Sequence, residues 1–185
     1  MKLNVLLIFA LLSSNFVLII ATNHFEQAYS NNAQMKTLYS LFQTTIAPLY
    51  GDQEEALKKI SDAKDRLAYL LVNEEKVLGV LVYKNTVTQE FALLGVDDAI
   101  ELKTLFVVDA KTNSGIRLGT QLFNKCLEYA KSVKAGYIVV TVSEEKPESI
   151  KFFERKGFKK IDAMPNKYKV GVTEYIFAKS LKIND

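Results

Sequence analysis

The chain has 185 residues, 49% of them apolar and 24% charged, which suits one globular domain with an appendage and excludes a disordered or fibrous protein. Its net charge of +3 comes from interspersed Lys and Glu with no basic block, so no specific nucleic-acid binding is expected. Cys126 is the only cysteine and His24 the only histidine; this excludes an internal disulfide and a cysteine-based zinc site, speaks against a Ser-His-Asp or Cys-His mechanism, and leaves no metal expected.

Residues 1–21 form a hydrophobic leader: Lys2 is followed by a nearly unbroken apolar run from Val5 to Ile20. At about 16 residues the run exceeds a typical signal-peptide core and falls short of the ~20 of a comfortable span, so signal peptide and membrane anchor both stay open. Export or membrane anchoring, with membrane contact through residues 5–20, is the expectation; a non-functional leader would leave the protein cytoplasmic. Residues 22–185 carry no linker, repeat or low-complexity stretch and read as one domain.

Phe25 to Tyr29 alternates weakly, as a first strand does. Met35, Leu38, Tyr39, Phe42 and Ile46 recur at three- and four-residue steps, which predicts an amphipathic helix from about Asn32 to a stop near Pro48. Glu54 to Ala63 supports a second helix. Leu67–Val72 and Val77–Tyr83, joined by a polar quartet, read as a hairpin, and Ile100–Val108 as the next strand. A glycine-containing turn, Asn113 to Gly119, leads into a long helix whose Leu118, Leu122, Cys126, Tyr129 and Val133 share a face. Tyr137–Val142 is a strand covered on both faces. Pro147–Lys156 is a helix closed by Gly157, and Glu174–Ala178 is the last strand. The order β-α-α-β-β-β-α-β-α-β-β implies a mixed α/β fold, a central mixed sheet flanked by about four helices with a βαβ crossover in its second half.

This order resembles the GNAT superfamily of N-acyltransferases, the acyl-coenzyme A N-acyltransferase fold. The specific likeness lies in Leu105-Phe106-Val107-Val108 ahead of a glycine turn and helix, and in the distal run Ser149 to Phe158. The resemblance implies that acetyl-coenzyme A is the cosubstrate and that a primary amine, of unknown identity, attacks its thioester directly. It implies that backbone amides of Phe106, Val107 and Val108 meet the pantetheine arm, and that the segment Ser114, Gly115, Ile116, Arg117, Leu118, Gly119 and Thr120 holds the pyrophosphate. A helix N-terminus suits an anion because its amides are unpaired and its dipole is positive there. Two positions depart from the family pattern: Ser114 stands at its Arg/Gln and Arg117 at its first motif glycine. The loop from Asp109 to Asn113 is also one residue longer.

The same resemblance places the gap for the arm between the fourth strand and Tyr137–Val142, with Thr141 and Ser143 at its open end. Glu101 is the candidate general base, and it fits the family's position if a bulge shifts the strand by one residue. Lys146 stands at the family's asparagine contact before the last helix. Phe153 stands where the family's tyrosine contacts the coenzyme and protonates the thiolate, and phenylalanine has no proton to donate. Asp52, in the Tyr50–Gln53 turn, is a candidate acceptor-amine contact. An alternative function is a GNAT-like module that binds a coenzyme or partner with little or no turnover.

Overall fold

A computed structural model describes residues 22–28, 32–51, 53–61, 66–84, 89–96, 98–108 and 113–182. The leader through Ala21, Asp52 and loop residues 109–112 lie outside the described residues. Among those described, no helix is long and apolar enough to cross a membrane.

Seven strands form one sheet in the order β1-β2-β3-β4-β5-β7-β6. They are β1 (His24–Gln27), β2 (Arg66–Asn73), β3 (Lys76–Lys84), β4 (Ala99–Val107), β5 (Tyr137–Ser143), β6 (Lys159–Pro165) and β7 (Thr173–Ser180). Only β4 and β5 pair in parallel; every other neighbouring pair is antiparallel. A parallel pair needs a crossover, and helix α5 (Asn113–Ser132) supplies it.

Strand alternation distributes the core to both faces. Ile100 and Leu102 of β4 and Ile138, Val140 and Val142 of β5 pack against Leu122, Phe123 and Cys126 of α5 and Phe153 of α6 (Pro147–Arg155). On the other face, Leu70, Val80 and Val82 pack with Leu38 of α1 (Asn32–Leu41), Phe42, and Leu57 and Ile60 of α3 (Glu54–Ser61). Val139, Ile176 and Ala178 form a third cluster with Phe91 of α4 (Gln89–Ala92), a one-turn helix too short for periodicity to reveal. Gly79 sits where α5 crosses β3: a Cβ there would come within 2.8 Å of Leu122 Cδ1 and 2.9 Å of the Phe106 carbonyl.

The first helix does not stop at Pro48. It passes through a π-helical turn (Phe42–Ile46) into α2 (Ala47–Tyr50), with Pro48 near the start of α2 and the helix ending two residues after it. The Ala47 N–H reaches five residues back to the Phe42 carbonyl, and this widened turn makes room for the proline ring. Gly51, at φ 77°, closes the helix and turns the chain. The consequence is positional: Tyr50 is delivered by a helix end rather than by a loose turn.

Candidate active site

β4 and β5 stay paired only from Ala99↔Tyr137 to Leu102↔Val140. Beyond that point β4 continues to Val107 along β3, and β5 continues to Ser143 along β7. The two strands therefore part, and a gap opens in the middle of the sheet.

The gap has backbone donors on its β4 side. Val108 N–H donates to the Leu78 carbonyl at 3.0 Å, and Phe106 and Thr104 stand opposite Val80 and Val82. The alternation of an antiparallel ladder then sends the Phe106 and Thr104 amides to β3 as well, and turns those of Leu105 and Val107 toward the edge that β5 has left. Of the three amides assigned from sequence, Val107 faces the gap, whereas Phe106 and Val108 are committed to β3. The Leu105 amide faces the gap beside it.

A bulge lies at the mouth of the gap. Tyr83 opposes Leu102 and Val82 opposes Thr104, so Lys103 is an extra residue in β4. The bulge resets the alternation: Glu101 and, past the extra residue, Phe106 both lie on the α1 and α3 face, where Phe106 packs against the second cluster. Glu101 is 1% exposed. Its Oε1 accepts a hydrogen bond from Lys103 Nζ at 2.6 Å, while Oε2 has no hydrogen-bond partner among the described residues. An orphaned buried carboxylate oxygen is costly to keep and marks a place for an incoming donor.

The glycine segment proves to be helix already. α5 begins at Asn113, so the amides without an intrahelical partner belong to Asn113, Ser114 and Gly115, with Ile116 completing that turn. Those of Arg117, Leu118, Gly119 and Thr120 bond back within the helix, which moves the amide cradle earlier than the motif count suggested. The loop's extra residue is offset by this early start. Arg117 is exposed and Leu118 packs against the main core. A Cβ on Gly119 would lie 3.4 Å from Phe152 Cε2 and 3.9 Å from Val107 Cγ2, ordinary contact distances, so packing alone does not demand glycine there. Thr120 Oγ1 accepts from Lys156 Nζ at 2.9 Å, joining α5 to the end of α6.

Phe153 points into the core, 6% exposed, with its ring 5.2 Å from those of Phe152 and Phe158. The ring bordering Gly119 and Val107 is therefore Phe152, one residue before the position singled out from sequence. Lys146 is the N-cap residue of α6, and its side chain makes no cap bond.

Sequence reasoning missed a buried carboxylate beside the open end of β5. Glu174, 3% exposed, stands opposite Ser143 in the β5–β7 register. Burial holds its carboxyl above the ordinary value, while the Ser143 hydroxyl and Lys167 pull it back. Burial also pushes the Tyr50 phenol up, and the charges of Glu174, Glu145 and Glu148 push the same way. Thus α2, β5 and β7 bring Tyr50, Ser143 and Glu174 to one place. Alternation could have flagged Glu174, which shares the inward parity of Ile176 and Ala178; nothing local pointed to Tyr50.

The sign of the Glu174 effect is testable. An acid held above its ordinary value in the folded state binds its proton more tightly there, so stability falls as pH rises from the ordinary value through the raised one. Glu174→Gln is expected to remove that slope in thermal unfolding between mildly acid and neutral pH. Parallel slopes for the two proteins would refute the assignment.

A mixed sheet split between parallel β4 and β5, with free strand amides on one side and a helix N-terminus beyond, defines the acyl-coenzyme A N-acyltransferase class. A family model described as "Acetyltransferase (GNAT) domain" matches residues 46–179. The chain belongs to the GNAT family, the acetyl-coenzyme A-dependent N-acyltransferases. No curated protein sequence matches it significantly. Among solved structures it is similar to Arabidopsis thaliana NAA60 in complex with acetyl-coenzyme A, at 15% identity and TM-score 0.70, over 86% of this chain and 99% of that one. It is also similar to the aminoglycoside 6'-N-acetyltransferase of Enterococcus faecium (18% identity, TM-score 0.67, 88% and 99% covered) and to an acetyltransferase of Streptococcus agalactiae (24%, 0.62, 86% and 98%). Identities this low speak for the fold alone.

Proposed function

We propose that the protein transfers an acetyl group from acetyl-coenzyme A to a primary amine by direct attack within the β4–β5 gap. The observation that carries this reading is the open edge of β4, where the Leu105 and Val107 amides face a gap with a buried carboxylate at its mouth. The coenzyme supplies an activated acetyl group as a thioester. The Leu105 and Val107 amides would align the arm and polarise the carbonyl as fixed donors. The α5 amides at Asn113, Ser114 and Gly115 would meet the pyrophosphate, with Arg117 adding a charge-assisted contact. Glu101 would take the amine's proton, its free Oε2 receiving the acceptor nitrogen. Glu174, Ser143 and Tyr50 would line the acceptor's approach and favour a cation. Since Phe153 carries no hydroxyl, water would protonate the departing thiolate.

Phe153 also favours the second reading, a module that binds coenzyme without turnover. Calorimetric titration with acetyl-coenzyme A followed by acetyl transfer to a mixed amine set decides between them. Saturable binding with transfer is expected. Binding without transfer would establish the module, and absence of binding would refute both.

A further inference from the structure

We propose that Lys103 is itself an acetyl acceptor, so that the enzyme modifies its own active site. The inference rests on the reading of the β4–β5 gap as the acetyl-coenzyme A site. Lys103 is the bulge residue and the first residue of β4 beyond the last β4–β5 pair, Leu102↔Val140, which places it where the gap begins. Its ammonium lies 2.6 Å from Glu101 Oε1, and the two side chains are 21% and 2% exposed. An amine held by a buried carboxylate at the entrance of a thioester site has the two things an acceptor needs, a proton sink and proximity. The flexible four-carbon stem of lysine provides the reach.

The step balances without any further reagent. Glu101 Oε1 takes a proton from Nζ, and the freed lone pair forms a C–N bond to the acetyl carbon. The C–S bond breaks and its electron pair leaves with sulfur. Of the two protons the ammonium loses, one ends on the departing sulfur and one passes to solvent through Glu101. The product is an uncharged amide that can still donate one N–H to Oε1, but Glu101 has lost the cation beside it. Lys103 would thus present the same groups as a bound amine substrate, and an external acceptor competes with it for the same carboxylate.

The test is incubation of the full chain with acetyl-coenzyme A, read by intact mass and peptide mapping over time. Exposed Lys134 reports the uncatalysed background. Lys103 is expected to gain one acetyl group at least about a hundredfold faster than Lys134, the low side of what a positioned base contributes. Its rate should saturate with coenzyme, slow in Glu101→Gln, and be independent of protein concentration, as a reaction within one molecule must be. Lys103→Arg should bind coenzyme and show no label at that position. An unmodified Lys103, a rate no faster than Lys134, or a rate that grows with protein concentration would overturn the proposal. Coenzyme binding with transfer to an external amine but no label on Lys103 would overturn this inference alone; loss of coenzyme binding would remove the functional reading too.

Discussion

Glu101→Gln is expected to lower acetyl transfer to an external amine by about 10²–10³-fold at neutral pH while leaving the coenzyme dissociation constant unchanged. The carboxylate is almost fully buried and one oxygen has no partner, so the glutamine keeps shape and hydrogen bonding but gives up the capacity to take a proton. The coenzyme contacts proposed above come from elsewhere, the Leu105 and Val107 amides and the start of α5, and none of them involves this side chain. A fall in kcat/KM with unaltered coenzyme binding is therefore the signature of the base. A matching loss of coenzyme affinity would mean instead that Glu101 holds β4 in shape. Lys103, with only 21% of its side chain exposed, would keep an oxygen acceptor in the variant but lose the opposite charge, so unfolding should be measured alongside to show that the loss is chemical.

The second large effect belongs to the face opposite α5. Phe42→Ala should cost about 3–5 kcal/mol of stability, the range for emptying a buried aromatic site. Phe42 is 2% exposed and sits edge-on to Phe106 with ring centroids 6.4 Å apart, so it links the first helix to β4 directly. For a domain of this size each kcal/mol lowers the melting temperature by roughly 2–4 °C, which predicts a fall of about 10 °C in thermal denaturation. Its carbonyl also accepts the bond that defines the π turn, and that turn sets where Tyr50 arrives. Acceptor KM should rise in any folded fraction, whereas coenzyme affinity should hold because the amides it uses point to the other edge of β4. Stability within 1 kcal/mol of the parent would show that the helix is anchored elsewhere.

Several of these features were legible in the residues themselves. The element order was, because helical and strand periods follow from which side of each element must be buried, and that is written locally in runs such as Tyr137–Val142 and the Leu118–Tyr129 face. Gly157 at φ 83° closes α6 where a glycine past a helix end is expected. Pro48 marked the helix end to within two residues, but it gave no sign of the π turn that precedes it. The glycines of Asn113–Gly119 suggested a turn, but the segment is already the first turns of α5. Motif counting placed the contact ring at Phe153, but packing turned that ring into the core and left Phe152 at the boundary.

By itself the sequence determined most of the strands and helices, their order apart from the one-turn α4, and the family resemblance, since each depends on patterns within one segment. Only the tertiary structure decided where β4 and β5 part, that Lys103 is the extra residue of a bulge, that Glu101 is buried with one oxygen unpartnered among the described residues, and that the Glu174 charge acts on Tyr50. The reason is that register and burial are properties of pairs of segments: a strand's pattern shows which residues face inward, but the neighbour's position along it decides what they face and where the pairing ends.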